Sequence, residues 1–212
     1  MNPLRIAFFA SGNGTLFETI TTRCRSGEIE ADPVCLICSN PEAPVLQRAQ
    51  RLDVPARVIQ RDNFSSGVEF TAELMEELRS RDANFVCLAG YMKKVPAAVV
   101  QAYRHRMLNI HPALLPAFGG KGMYGRKVHE AVLEYGARIS GATVHLVDEE
   151  YDHGPIILQR AVFVMGNDTP ETLEARVHQI EHDVYTEAVR LFAEERISVN
   201  GRKVTILPGK SA

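Results

Sequence analysis

Leu4-Arg-Ile-Ala-Phe-Phe-Ala-Ser-Gly-Asn-Gly-Thr15 sets the architecture that the rest of the chain repeats. Within it, Arg5 to Ala10 reads as an apolar strand, the first of the chain. Two glycines then break the run, and Thr15 to Ser26 reads as a helix stopped by Gly27. Glycine lets the main chain turn sharply and approach a ligand closely. The exposed N–H groups of a helix start bind anions. The turn lacks the Lys-Ser/Thr of a Walker loop and the third glycine of a dinucleotide fingerprint, so neither motif assigns it a ligand.

The same unit recurs downstream. Pro33 to Ser39, Ala56 to Ile59, Phe85 to Ala89 and Arg106 to His111 read as strands. Pro44 to Leu52, Val68 to Arg81 and Pro96 to Tyr103 read as the helices between them, with Phe70, Leu74, Met75 and Leu78 on one face of the second. This alternation predicts an α/β protein: a Rossmann-like, mainly parallel twisted sheet with helices on both faces. Ligands of such sheets bind beyond the C-terminal strand ends. Ser11 to Thr15, Gly90 to Lys94 and Asn109 to His111 all fall there. The second half departs from simple alternation. Val128 to Tyr135 reads as a helix, Gly141 to Val147 and Ile156 to Val164 as long strands, and Pro170 to Glu195 as a long helix capped by Thr169. Val199 to Leu207 reads as a terminal strand or hairpin arm. No linker or repeat divides the chain, so residues 1–212 are expected to form one domain.

Composition bounds the function. The 212 residues are 45% apolar and 24% charged, ordinary for a soluble domain. A formal charge of −2 offers no general grip on nucleic acid, although it allows a local basic pocket for one phosphate. No apolar run reaches membrane-span length and no signal peptide is evident, so a cytoplasmic protein with no membrane partner is expected. Cys35 and Cys38 have metal-like spacing, but no second Cys or His pair follows at zinc-ribbon distance. All four cysteines, with Cys24 and Cys87, are expected as reduced, buried thiols.

Chemistry concentrates in Asn109-Ile-His-Pro-Ala-Leu-Leu-Pro116. On a strand, residues two apart share a face, so Asn109 and His111 project together while Ile110 points into a core. Pro112 ends the ladder. An amide donor beside a titratable ring suits stabilisation of an oxyanion and movement of a proton. Asp148-Glu-Glu-Tyr-Asp-His-Gly-Pro155 adds an acid-rich turn, and Gly119 to Gly125 holds four glycines in seven residues, the composition of a mobile lid.

The glycine turn, the NIHPALLP segment and the YDHGPIILQ segment together resemble the phosphoribosylglycinamide formyltransferase family, from Leu4 to about Leu207. The resemblance implies a formyltransferase fold and transfer of a formyl group from 10-formyltetrahydrofolate, as cosubstrate, to the amine of 5-phosphoribosylglycinamide in de novo purine synthesis. It implies catalytic roles for Asn109, His111 and Asp152, with Asp152 keeping His111 protonated. It places the ribotide phosphate on Gly12, Asn13, Gly14, Thr15 and Leu16, and assigns Glu181 to the ribotide. Folate falls to Met92, Lys93, Lys94, Val95 and Asn109. No metal is expected, and the oligomer is expected to be a monomer or homodimer. Two positions depart from the family pattern: Leu16, where most members carry Asn, and Gly67, where Arg is common, so that a charge contact there would come from Arg61, Lys93 or elsewhere. His153 reads as a surface variant. Formyltetrahydrofolate deformylase and methionyl-tRNA formyltransferase share motifs but carry a further N-terminal or C-terminal domain, which the start of the sheet at residue 4 and the end at Ala212 disfavour. A non-enzymatic binding module on the same fold would have no need of Asn109, His111 and Asp152 together.

Overall fold

A computed structural model describes residues 3–209, so both ends of the expected 1–212 domain lie outside the described residues. The chain forms two compact units, Met1–Leu108 and Asn109–Ala212. Unit one contains β1 (Leu4–Ala10), α1 (Thr15–Arg25), β2 (Ala31–Cys38), α2 (Val45–Arg51), β3 (Ala56–Val58), α3 (Gly67–Ser80), β4 (Phe85–Leu88), α4 (Ala97–Ala102) and the start of β5 (Met107–His111). The strands lie in the order β3-β2-β1-β4-β5, and every pairing is parallel. Parallel neighbours need a crossover, and the intervening helices supply it. In the centre, Ile6 to Ala10 are fully buried, as the unbroken apolar run requires.

β2 begins two residues before the expected Pro33 and contains it. Ile6 pairs with Pro33 but Ala7 pairs with Cys35, so Val34 is the extra residue of a bulge. Proline has no N–H for a ladder and is accommodated at such a slip. The four cysteines are buried and not joined in disulfides, and burial pushes the Cys24 and Cys35 thiols up to about 12. In α3, the Ser66 hydroxyl accepts the Glu69 N–H as an N-cap. Phe70, Leu74 and Leu78 face inward as expected, but Met75 is only half-buried and Glu77 takes an inner position. Arg57 and Arg81 donate to the Glu77 carboxylate at 3.1 and 3.0 Å, which offsets the cost of burying its charge.

Unit two contains the end of β5, α5 (Arg126–Tyr135), β6 (Ile139–Leu146), β7 (Ile156–Phe163), α6 (Pro170–Ala193), β8 (Ile197–Asn200) and β9 (Lys203–Ile206). Its strands lie in the order β5-β6-β7, with β6 and β7 antiparallel. The fold is thus α/β, with a mainly parallel seven-stranded sheet flanked by helices. Residues expected as a terminal strand or hairpin arm form a separate hairpin, β8–β9, turning at Gly201 with φ +59°. Thr169 and Thr172 close a reciprocal capping box at the start of α6, with Pro170 in its first turn. α6 packs on α5 and β6 and buries Leu173, Val177, Val184, Tyr185 and Val189. Among the described residues, no helix is long and apolar enough to cross a membrane.

Candidate active site

In unit two, β5 brings Asn109 and His111 to its C-terminal end, as the strand pattern predicts; Ile110 is half-buried rather than sealed in a core. The His111 Nε2 lies 2.8 Å from the Phe118 carbonyl oxygen, and its Nδ1 faces Asp152 Oδ2 at 3.5 Å. Asn109 Nδ2 lies 3.1 Å from His145 Nε2. The other His145 nitrogen, Nδ1, is 2.8 Å from the Leu146 carbonyl, which can only accept. Nδ1 therefore carries hydrogen, and in the neutral ring Nε2 accepts one amide N–H of Asn109. Its second amide N–H is left for another acceptor. His145 escaped the sequence reading because a lone histidine in the apolar Gly141 to Val147 run carries no motif. The available signal was its position two residues after Thr143, on the same strand face.

Asp152 reaches this cluster from the acidic turn between β6 and β7. Its φ is +53°, a left-handed conformation that Asp tolerates better than most residues. The turn is tight: a Cβ on Gly154 would overlap the Leu146 carbonyl. Gly120 N–H donates to Asp152 Oδ2 at 2.9 Å, and His145 Nε2 stands 3.7 Å from Oδ1. Burial works to raise the Asp152 pKa, but the His145 and His111 rings and the Gly120 N–H outweigh it, and the carboxyl stays below its usual range. The neighbouring His153 is exposed, pairs with Asp148 at 2.8 Å and meets Arg202 of the hairpin turn, so it braces the turn from outside.

One sequence expectation is corrected here. Burial, at 3% residual exposure, lowers the His111 pKa and outweighs the raising effects of Asp152 and the Phe118 carbonyl. The resting ring is therefore displaced toward the neutral form, not held as imidazolium. The strand pattern reports a shared face but not the depth at which the ring is buried.

On α6, Glu181 Oε2 pairs with His178 Nδ1 at 2.8 Å, and that bond raises the histidine pKa. His129 of α5 is 2% exposed and its Nδ1 has no hydrogen-bond partner. Burial lowers its pKa against the raising influence of Glu174 and Glu181.

In unit one, Gly14 caps α1 with φ +72° and without a side-chain cap hydrogen bond, so no capping side chain claims the first-turn N–H groups of α1. A Cβ at Gly14 would overlap Val45, whereas Gly12 has open space. Leu16 is buried in the core; only its main chain remains to serve a ligand. Ser11 ties this turn to the 90–92 loop: its N–H donates to Gly90 O at 3.0 Å and its Oγ accepts Met92 N–H at 2.9 Å. Met92, Lys93 and Lys94 are exposed, but the Val95 side chain is buried. Arg61 Nη2 lies 3.9 Å from where a Cβ on Gly67 would stand, so a guanidinium occupies that neighbourhood despite the glycine. Among the described residues, no three His, Cys, Asp or Glu side chains are grouped to hold a metal ion.

Residues 4–189 match the family model described as formyl transferase. A phosphoribosylglycinamide formyltransferase of Arabidopsis thaliana is 45% identical over 97% of this chain and 71% of its own length. The Bacillus subtilis phosphoribosylglycinamide formyltransferase is 37% identical over 88% of this chain and 93% of its own. Among solved structures, glycinamide ribonucleotide transformylase 1 from Symbiobacterium toebii superposes with a TM-score of 0.91 at 41% identity, covering 97% of this chain and 95% of that one.

Proposed function

The chain belongs to the phosphoribosylglycinamide formyltransferase family, and from that membership we propose that it transfers the formyl group of 10-formyltetrahydrofolate to the amine of 5-phosphoribosylglycinamide, a step of de novo purine synthesis. The observation that supports this reading most is the grouping of buried His111 with half-buried Asn109 and Asp152. It offers a hydrogen-bond donor, a proton carrier and a carboxylate, and it needs no enzyme nucleophile. The amine attacks the formyl carbon directly, so holding both substrates together supplies much of the rate. As the new C–N bond forms, the carbonyl π pair moves onto the formyl oxygen. Asn109, oriented by His145, donates its remaining N–H to that oxygen. Collapse breaks the bond to folate N10, and His111 with Asp152 carries the proton from the amine to that nitrogen. None of these steps calls for a metal.

The main-chain N–H groups of Gly12, Asn13, Gly14, Thr15 and Leu16 bind the ribotide phosphate, and Glu181 holds the ribotide. Met92, Lys93, Lys94 and Asn109 contact the folate, with Val95 acting through its main chain. Arg61 supplies the positive charge that Gly67 lacks. Residues 1–212 act as one cytoplasmic catalytic domain, as a monomer or homodimer. The test is an assay of the purified protein with ribotide and 10-formyltetrahydrofolate. Formylated ribotide and tetrahydrofolate should appear one for one. Formate released at the same rate without ribotide would identify a deformylase instead; ligand binding without turnover would identify a binding module.

A further inference from the structure

One contact fixes a proton of His111. Nε2 is 2.8 Å from the Phe118 carbonyl oxygen, and a carbonyl only accepts, so Nε2 carries hydrogen. Nδ1 faces Asp152 Oδ2 at 3.5 Å. The same short loop also reaches the carboxylate, where Gly120 N–H donates to Oδ2 at 2.9 Å. Main-chain atoms of residues 118–120 thus orient both side chains that the proposed chemistry uses.

The approach to this loop is braced from β6 and β7. The Thr143 hydroxyl donates to Ala113 O at 2.6 Å and accepts Leu115 N–H at 3.0 Å. The Gln159 amide donates to Leu115 O and to Thr143 Oγ, each at 3.0 Å. Thr143 and Gln159 are direct cross-strand partners. Thr143 is fully buried with its hydroxyl satisfied, and Gln159 reaches it and Leu115 O from an exposed position on β7, so losing the Gln159 amide leaves the Leu115 carbonyl and the Thr143 hydroxyl each one partner short.

We infer that the Phe118 carbonyl, supported by the Thr143–Gln159 brace, is a positioning group for the reaction: it holds His111 as the Nε2–H tautomer and makes Nδ1, beside Asp152, the nitrogen that takes up and returns the proton. This rests on the formyl-transfer reading. When the amine nitrogen bonds to the formyl carbon, its proton passes to Nδ1, and the resulting imidazolium faces the Asp152 carboxylate. When the bond to N10 breaks, its electron pair stays on N10, which takes the proton from Nδ1. His111 ends neutral, and no proton crosses from one ring nitrogen to the other. Besides Asp152 and the Phe118 carbonyl, His145 and Glu181 are the groups whose charge reaches this ring.

The test uses full-length protein with 15N-labelled histidine, the His111 signals being identified by their loss in His111→Gln. In the neutral ring, Nε2 should give a protonated, pyrrole-type shift and Nδ1 an unprotonated one, and acidification should move mainly Nδ1. A neutral ring with hydrogen on Nδ1 would overturn the inference. Gln159→Met, which touches neither proposed catalytic side chain, should mix the two tautomers and lower kcat about tenfold with both KM values within about twofold, the scale of losing a group that orients an active residue. Unchanged tautomer and kcat would remove the brace from the proposal, and a matching loss in KM would reduce it to packing. The tautomer is read without turnover, so absence of formyl transfer in the product assay fails the functional reading separately.

Discussion

At Asp152 one carboxylate, only 11% exposed at its side chain, faces two imidazoles and accepts a main-chain N–H. Its charge opposes the burial that lowers the His111 pKa. Asp152→Asn keeps the size and removes that charge, so the His111 pKa should fall further and imidazolium should form less readily. We expect kcat to drop by roughly 10²-fold, the scale of losing one acid–base element, while the ribotide KM changes little. Steady-state kinetics and an NMR titration of His111 check this together; near-normal turnover with an unshifted ring would leave Asp152 as a structural acid of its turn. The resemblance to the family singled out Asp152 among Asp148, Glu149 and Glu150, yet the expectation that it holds His111 as imidazolium did not survive. A charge pair can be inferred from a motif. The desolvation that opposes it depends on atoms from β6, the acidic turn and the 118–120 loop, which only folding assembles.

Among the elements, α1 and its glycine turn carry the clearest steric demand. Gly14 has φ +72°, and any side chain there meets Val45 of α2. Gly14→Ala should cost about 1–3 kcal/mol of stability through backbone strain and overlap, and the ribotide KM should rise at least tenfold as the first-turn N–H groups of α1 are displaced. Denaturant unfolding and ribotide kinetics measure the two effects independently, and a destabilised variant with an unchanged KM would place the phosphate elsewhere. The strand–helix order of this region was legible because buried parallel strands are continuous apolar runs and their helices have a regular apolar face. What escaped was set by partners distant in sequence. The bulge at Val34 depends on the register against β1, the burial of Glu77 on arginines at 57 and 81, and the role of His145 on the Asn109 amide across the sheet. Leu16 illustrates the boundary: its departure from the family's Asn put a side-chain contact in doubt, and packing turns that side chain into core.

For the molecule as a whole, buried histidines make acid the vulnerable direction. Burial holds the pKa of His111 and of His129 below the ordinary 6.5. Around that pH the unfolded chain takes up protons that these folded rings refuse, so their neutral burial supports the fold fully above about 6.5 and progressively less as pH falls toward their folded values. Asp152 has the same sign at lower pH, because its folded pKa is depressed below 3.8. His178 has the opposite sign: its bond to Glu181 raises its pKa, so it stabilises at low pH and loses that contribution as pH rises through its folded value. Its side chain is 54% exposed, however, and solvent screens the pair, whereas the two depressed rings are almost fully enclosed. The buried pair should therefore dominate. Unfolding free energy should fall between pH 7 and pH 5, with a slope of up to about 1.4 kcal/mol per pH unit for each ring that titrates only in the unfolded chain. Urea unfolding at pH 7, 6 and 5 measures the slope, and His129→Gln, which removes one of the two groups, should flatten it. Stability that holds level or rises on acidification would mean that the exposed His178–Glu181 pair outweighs the enclosed rings.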